Sequence, residues 1–171
     1  MDNPLFKLAK QLGQTLKDNG DRIATAESCT GGWIAGVITE VPGSSAWFDR
    51  GFVTYSNTAK VQMLGVNPET LEHFGAVSAE TAAEMVNGAL TRSDATVAIA
   101  VTGIAGPDGG TPGHPVGTVF IAWKSKDEDA LVVKKQFSGN RHQIRAQTVK
   151  IAIEGCCKEG WLGNRALGMD N

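Results

Sequence analysis

The chain has 171 residues, with 16 Lys and Arg against 18 Asp and Glu, for a formal net charge of −2. That balance supplies no field for a polyanion and argues against nucleic acid as a partner, and the length suits one domain with its own core. No apolar run approaches the about 20 residues of a membrane span, and MDNPLFKLAK lacks a basic start followed by an unbroken apolar stretch, so the expectation is a cytoplasmic protein without a membrane partner.

Asn3 is placed to cap a first helix, with Pro4 at its first position and Leu5, Leu8, Ala9, Leu12 and Leu16 at helical spacing before Asn19-Gly20. Arg22 to Glu27 reads as a short strand that breaks at Ser28-Cys29-Thr30-Gly31-Gly32 and leads into a helix over Trp33 to Thr39. After the Pro42-Gly43-Ser44-Ser45 turn, the aromatic and β-branched content of Trp47 to Tyr55 predicts a strand. Ser56 or Asn57 then caps a short helix carrying Lys60, Val61 and Leu64; further helices follow Asn67-Pro68 and Ser78, the latter with Ala82, Met85, Val86, Ala89 and Leu90 on one face.

The unbroken apolar run Ala95 to Val101 predicts a strand covered on both faces, central in its sheet. A long loop, Thr102 to Pro115, separates it from an expected strand over Val116 to Trp123, which forms a hairpin with Leu131 to Phe137. A last helix starts near Gly139-Asn140 and turns Val149, Ala152, Ile153 and Cys156 to the core. The alternation of helices and strands predicts an α/β fold, a three-layer α/β/α sandwich, and the terminal hairpin makes its central sheet mixed. One domain over residues 1–160 and a frayed tail over 161–171 are expected; strand order is not legible.

Cys29, Cys156 and Cys157 are odd in number with two adjacent, unlike a disulfide framework, and fit a reducing compartment. His73, His114 and His142 have no zinc-type spacing with other ligands, so no metal is expected. Chemistry concentrates in four Gly- and hydroxyl-rich segments: TAESCTGG, GFVTYSNTAK, VTGIAGPDGGTPGHPVGT and FSGNRHQIR. Three lie where a strand gives way to a loop or helix, the place where an open α/β sheet binds ligands.

Ser28, between a strand end and two glycines, is a candidate nucleophile near helix N–H groups that could hold an oxyanion; the alternative is that Ser28 or Thr30 simply caps the helix. Cys29 lacks a neighbouring base. Lys60 falls in the first helical turn, where the dipole disfavours an ammonium, and a neutral lysine can serve as a base; the alternative is a solvated surface lysine. The Thr102–Gly117 loop, which holds Gly103, Gly106, Gly109, Gly110, Gly113 and Gly117 with Thr102, Asp108 and Thr111, matches neither a Walker A nor a Rossmann pattern, yet its glycines permit close backbone approach to a ligand; the alternative is a long flexible surface loop. Arg141 and Arg145, four apart at a helix start, would share a face that an anion such as phosphate could occupy, or else be two solvated side chains.

In order along the chain, TAESCTGG, TYSNTAK, GAVSAET, VTGIAGPDGG, and Val116 to Phe120 with Gly139-Asn140-Arg141 resemble the C-terminal domain family of the competence/damage-inducible protein CinA, over about Thr25 to Arg145. The resemblance implies a cofactor-free amidohydrolase converting nicotinamide mononucleotide to nicotinate mononucleotide and ammonia in pyridine-nucleotide salvage, and a homodimer. It implies Ser28, Tyr55 and Lys60 as the catalytic group, with Lys60, relayed or not by Tyr55, taking the serine proton. Cys29, Thr30, Gly31 and Gly32 would hold the oxyanion, and Thr102, Gly103, Gly106, Arg141 and Arg145 the ribose phosphate. The chain is expected to lack the additional N-terminal domain of the longer family members. His114 stands where a charged residue, often Lys, is expected, which would weaken phosphate affinity. A nucleotide-binding regulatory module without turnover, or an amidase for another small amide, remain the alternatives.

Overall fold

The computed structural model describes residues 3–157. The Asn3 side chain accepts from the Leu5 N–H at the start of α1 (Pro4–Asn19), and Gly20 ends that helix at a φ of +69°. Such an N-cap contributes about 1 kcal/mol. Strand β1 (Ile23–Glu27) is buried throughout and passes through the Ser28–Gly32 turn into α2 (Trp33–Thr39). A single 3-10 turn, Ser44–Ala46, precedes β2 (Phe48–Val53). Three helices follow, α3 (Asn57–Leu64), α4 (Pro68–Phe74) and α5 (Ala79–Thr91), each begun by a side-chain cap from Ser56, Asn67 or Ser78. Then come β3 (Val97–Gly103), β4 (Thr118–Ser125), β5 (Leu131–Gln136) and α6 (Arg141–Glu154), the last opened by an Asn140–Gln143 capping box.

The five-stranded sheet has the order β2-β1-β3-β4-β5. β1 runs parallel to β2 and β3, and β4 and β5 add antiparallel. Helices α1, α2 and α6 cover one face and α3, α4 and α5 the other, which is the three-layer sandwich with a mixed sheet that the sequence predicts. Central β3 divides its side chains between the two layers, as an apolar run covered on both faces must. Val97, Ile99 and Val101 enter the first, Ala98 and Ala100 the second. The second face is floored by alanines, Ala24, Ala26, Ala98, Ala100 and Ala122, which lets α5 lie close with Ala82, Met85, Val86 and Ala89 against it.

Several boundaries shift for local reasons. Trp47 ends the 3-10 turn instead of starting β2, because its carbonyl accepts from the Ile23 N–H while its ring is buried. Thr54 and Tyr55 lie beyond β2, since their carbonyls turn to the Lys60 amine. β3 extends to Gly103, and β4 begins at Thr118 because Gly117 before it has a φ of +94°. The tail expected over 161–171 lies outside the described residues. Among the described residues no helix is long and apolar enough to cross a membrane.

Helix α3, which carries Lys60, is seated on α5 at Gly88, where an added Cβ would overlap the Leu64 carbonyl. Gly88→Ala should therefore cost about 1–3 kcal/mol through overpacking. The thermal midpoint should fall by several degrees, and an unchanged midpoint would show that α3 is free to move away.

Candidate active site

The three parallel strands end on one edge of the sheet, and the four Gly- and hydroxyl-rich segments meet there. Ser28 follows β1 with its N–H donated to the Val101 carbonyl of β3 at 3.1 Å. Lys60, four residues into α3, is only 1% exposed. Its Nζ lies 3.0 Å from Ser28 Oγ, 3.0 Å from the Thr54 carbonyl and 3.3 Å from the Tyr55 carbonyl. Burial pushes the Lys60 pKa below its ordinary value, against an opposing electrostatic effect of Cys29. A neutral amine fits three such neighbours: its two N–H groups serve the two carbonyls, and its lone pair is left for the Ser28 hydroxyl proton. The solvated-lysine alternative is excluded by the burial, and desolvation is the leading cause of the shift.

The Ser28–Gly32 turn does not supply the helix cap that one reading of the sequence assigns to it. Neither Ser28 nor Thr30 caps α2. The N-cap position is Gly32, at φ +100° after Gly31 at φ +60°, and no side chain caps from there. Glu27, 1% exposed, does that work from β1. Its carboxylate accepts from the Thr30 hydroxyl at 2.6 Å and from the Ile34 and Ala35 N–H groups at 2.8 and 3.1 Å. The Gly31 and Trp33 N–H groups bond to the Ser28 and Thr30 carbonyls. Those of Cys29 and Thr30 enter no backbone hydrogen bond among the described residues.

A cavity of about 260 Å³ opens over this centre and is lined by Ser28, Cys29, Tyr55, Lys60, Thr102, Gly103, Gly106 and Arg141, all anticipated from sequence. Asn57, Ala76, Val77, Ile104, Ala105, Asp108 and Gly109 also line it. The sequence reading missed Asn57, although it sits in the TYSNTAK segment, and the Ala76-Val77 wall lies within the GAVSAET segment. A larger groove of about 760 Å³, bounded by Leu8, Thr15, Trp123, Val133 and Ile151, contains none of the predicted site residues.

A model of the CinA C-terminal domain matches residues 5–159 of the chain. This chain belongs to the CinA C-terminal domain family. It is 50% identical over 153 residues to the nicotinamide-nucleotide amidohydrolase PncC of Escherichia coli strain K12, covering 90% of this chain and 93% of that protein. It is 48% identical over 158 residues to the protein of the same name from Pseudomonas putida, covering 92% and 98%. The crystal structure of the competence/damage inducible protein CihA from Agrobacterium tumefaciens superposes with a TM-score of 0.87 at 49% identity, covering 90% of this chain and 94% of that one.

Several roles expected from the CinA family resemblance find different partners in this chain. Thr30, Gly31, Gly32 and Arg145 do not line the cavity. Arg145 instead donates to the Cys29 and Thr30 carbonyls at 3.1 and 3.2 Å, with its guanidinium over the Trp33 ring at 5.4 Å. Arg141, expected on the same face, reaches across the cavity to the Gly106 carbonyl at 2.7 Å and the Tyr55 hydroxyl at 3.1 Å. Tyr55 is 63% exposed and meets Lys60 only through its backbone carbonyl, so its hydroxyl belongs to the arginine side of the site. The Thr102 hydroxyl is spent on the Ala76 carbonyl at 2.8 Å. His114 rests edge-on against Phe120, outside the cavity lining. Among the described residues no three His, Cys, Asp or Glu side chains gather as a metal site.

Burial pushes the Cys29 thiol up to about 12. At pH 8 it should therefore resist alkylation by iodoacetamide in the native protein and react once unfolded, as read by peptide mass. Rapid native alkylation would show a thiolate beside Ser28 and reopen the choice of nucleophile.

Proposed function

We propose that this chain is a nicotinamide-nucleotide amidohydrolase that hydrolyses nicotinamide mononucleotide to nicotinate mononucleotide and ammonia, with Ser28 as nucleophile and Lys60 as its base. The observation that carries the reading is the buried Lys60 amine 3.0 Å from the Ser28 hydroxyl at the cavity floor. The PncC proteins to which the chain is half identical over nine-tenths of its length supply the substrate.

In the first half-reaction Ser28 Oγ attacks the carboxamide carbon as its proton passes to Lys60. The carbonyl electron pair moves onto oxygen, near the Cys29 N–H at the cavity wall. Collapse of that intermediate breaks the C–N bond, and Lys60 returns the proton to the leaving nitrogen, which departs as ammonia. Water then attacks the acyl ester, giving its proton to Lys60, which passes it to the departing Ser28 oxygen. Arg141 is the cation for the phosphate, and Asp108, the one carboxylate in the lining among the described residues, suits the positive pyridinium ring. Thr102, Gly103 and Gly106 act by shaping the backbone wall. Lys60 reaches Ser28 directly, so Tyr55 is no relay in this scheme.

The catalytic unit is one domain of residues 1–160, working in the cytoplasm in pyridine-nucleotide salvage. We place it as a homodimer on the strength of the exposed apolar side chains Val53, Met63 and Phe74. A monomer by light scattering would remove that assignment.

Purified protein in EDTA should release ammonia from nicotinamide mononucleotide, with nicotinate mononucleotide identified by mass. Ser28→Ala and Lys60→Met should lower kcat by about 10²–10⁴-fold or more. Tyr55→Phe should cost at least tenfold less than Lys60→Met, and equal losses would restore Tyr55 as relay. Because the active base is the unprotonated amine, kcat should rise with pH through a midpoint below the ordinary lysine value of 10.5. A folded wild type that binds the nucleotide without product would replace this reading with a binding module.

A further inference from the structure

Ser28 must be held against Lys60, yet it lies in a turn that has two consecutive glycines at positive φ. The glycine at the N-cap position offers no side-chain cap, and among the described residues Ser28 is fixed directly by its N–H on Val101, its carbonyl under the Gly31 N–H and its hydroxyl on Lys60. We propose that Glu27 and Arg145 are positioning residues that grip the turn from two elements, β1 and α6, and hold the nucleophile in register with its base while touching no substrate. This inference rests on the amidase reading for its main assay.

Glu27 sinks a carboxylate into the core with no cation paired to it among the described residues, an arrangement that is costly unless its hydrogen bonds are complete. Both oxygens are engaged, one by the Thr30 hydroxyl and the Ile34 N–H, the other by the Ala35 N–H. The carboxylate thus ties the middle of the turn to the first turn of α2, whose exposed amides also favour a negative charge. Its own backbone carbonyl accepts from the Thr54 N–H at 2.9 Å, and the Thr54 carbonyl accepts from Lys60, so the same residue links the nucleophile turn to the seat of the base. A glutamine here would present its amide nitrogen to one of three donors.

Arg145 holds the same turn by its carbonyls, at Cys29 and Thr30, and is steadied by the Trp33 ring. Drawing the Cys29 carbonyl toward α6 fixes the Thr30 N–H on the opposite side of that planar trans peptide. Neither Glu27 nor Arg145 lines the cavity, whereas Arg141 does. A phosphate contact would need Arg145 to abandon two hydrogen bonds.

The test compares Glu27→Gln and Arg145→Lys with wild type on nicotinamide mononucleotide and on nicotinamide riboside, which lacks the phosphate. Positioning predicts kcat lowered at least tenfold on both substrates, KM changed less than threefold, and melting midpoints above the assay temperature. Wild-type kcat in either variant, or an Arg145→Lys defect confined to KM for the phosphorylated substrate, overturns the proposal. Should Glu27→Gln fail to fold, Thr30→Val removes one of the carboxylate's donors and is judged by the same criteria. A substrate-free arm measures phosphonylation of Ser28 by a small fluorophosphonate, read by intact mass, with at least fivefold slower labelling expected in the variants. A wild type that labels but does not turn over the nucleotide would remove the amidase reading alone; equal labelling rates would then overturn the positioning role. A wild type that neither labels nor turns over removes both.

Discussion

The structure turns on one buried amine. Lys60 Nζ is withdrawn from water and surrounded by the Ser28 hydroxyl and the Thr54 and Tyr55 carbonyls. No carboxylate neutralises it within salt-bridge distance among the described residues. Desolvation without a counter-charge disfavours the ammonium, and the same three neighbours satisfy the neutral amine. In the proposed mechanism this arrangement makes a base from a residue that is ordinarily a surface cation, with the lone pair directed at the Ser28 hydroxyl.

Much of the surrounding fold serves to keep that contact in register. The alanine floor of the sheet brings α5 close, and Gly88 brings α3 onto α5, which sets the depth of Lys60. On the other side, β1 delivers Ser28 beside the Val101 carbonyl, and the left-handed Gly31-Gly32 pair turns the chain back into α2. Parallel pairing of β2, β1 and β3 puts all three contributing loops on one edge, while the antiparallel β4 and β5 complete the sheet away from Ser28.

The elements were legible wherever local chemistry decides them. Asn3-Pro4, Ser56, Asn67-Pro68, Ser78 and Asn140 mark their helices in the sequence and cap them in the structure. The double-sided burial of β3 follows from its unbroken apolar run. Strand order depends on pairings distant in sequence and left no local trace. In the site, Ser28 and Lys60 were legible as chemical types in suggestive places, but their 3.0 Å contact spans 32 residues of sequence and needs the fold. Glu27 was overlooked because one acidic residue at a strand end looks like a solvated terminus. The available signal was that Gly31-Gly32 leaves the next helix without a cap. Spacing of four put Arg141 and Arg145 on one helix face, yet each long side chain follows its own acceptors, Gly106 and Tyr55 for one and the turn carbonyls for the other.

The most direct test of the central claim is the ionisation of Lys60 itself, followed by NMR of protein labelled with ¹³C at the lysine ε carbon and assigned by loss of the signal in Lys60→Met. Burial beside Ser28 predicts a Lys60 resonance that titrates below 10.5, the ordinary value. A Lys60 resonance titrating at or above that value would mean an ammonium at the serine, and the base would have to be sought elsewhere.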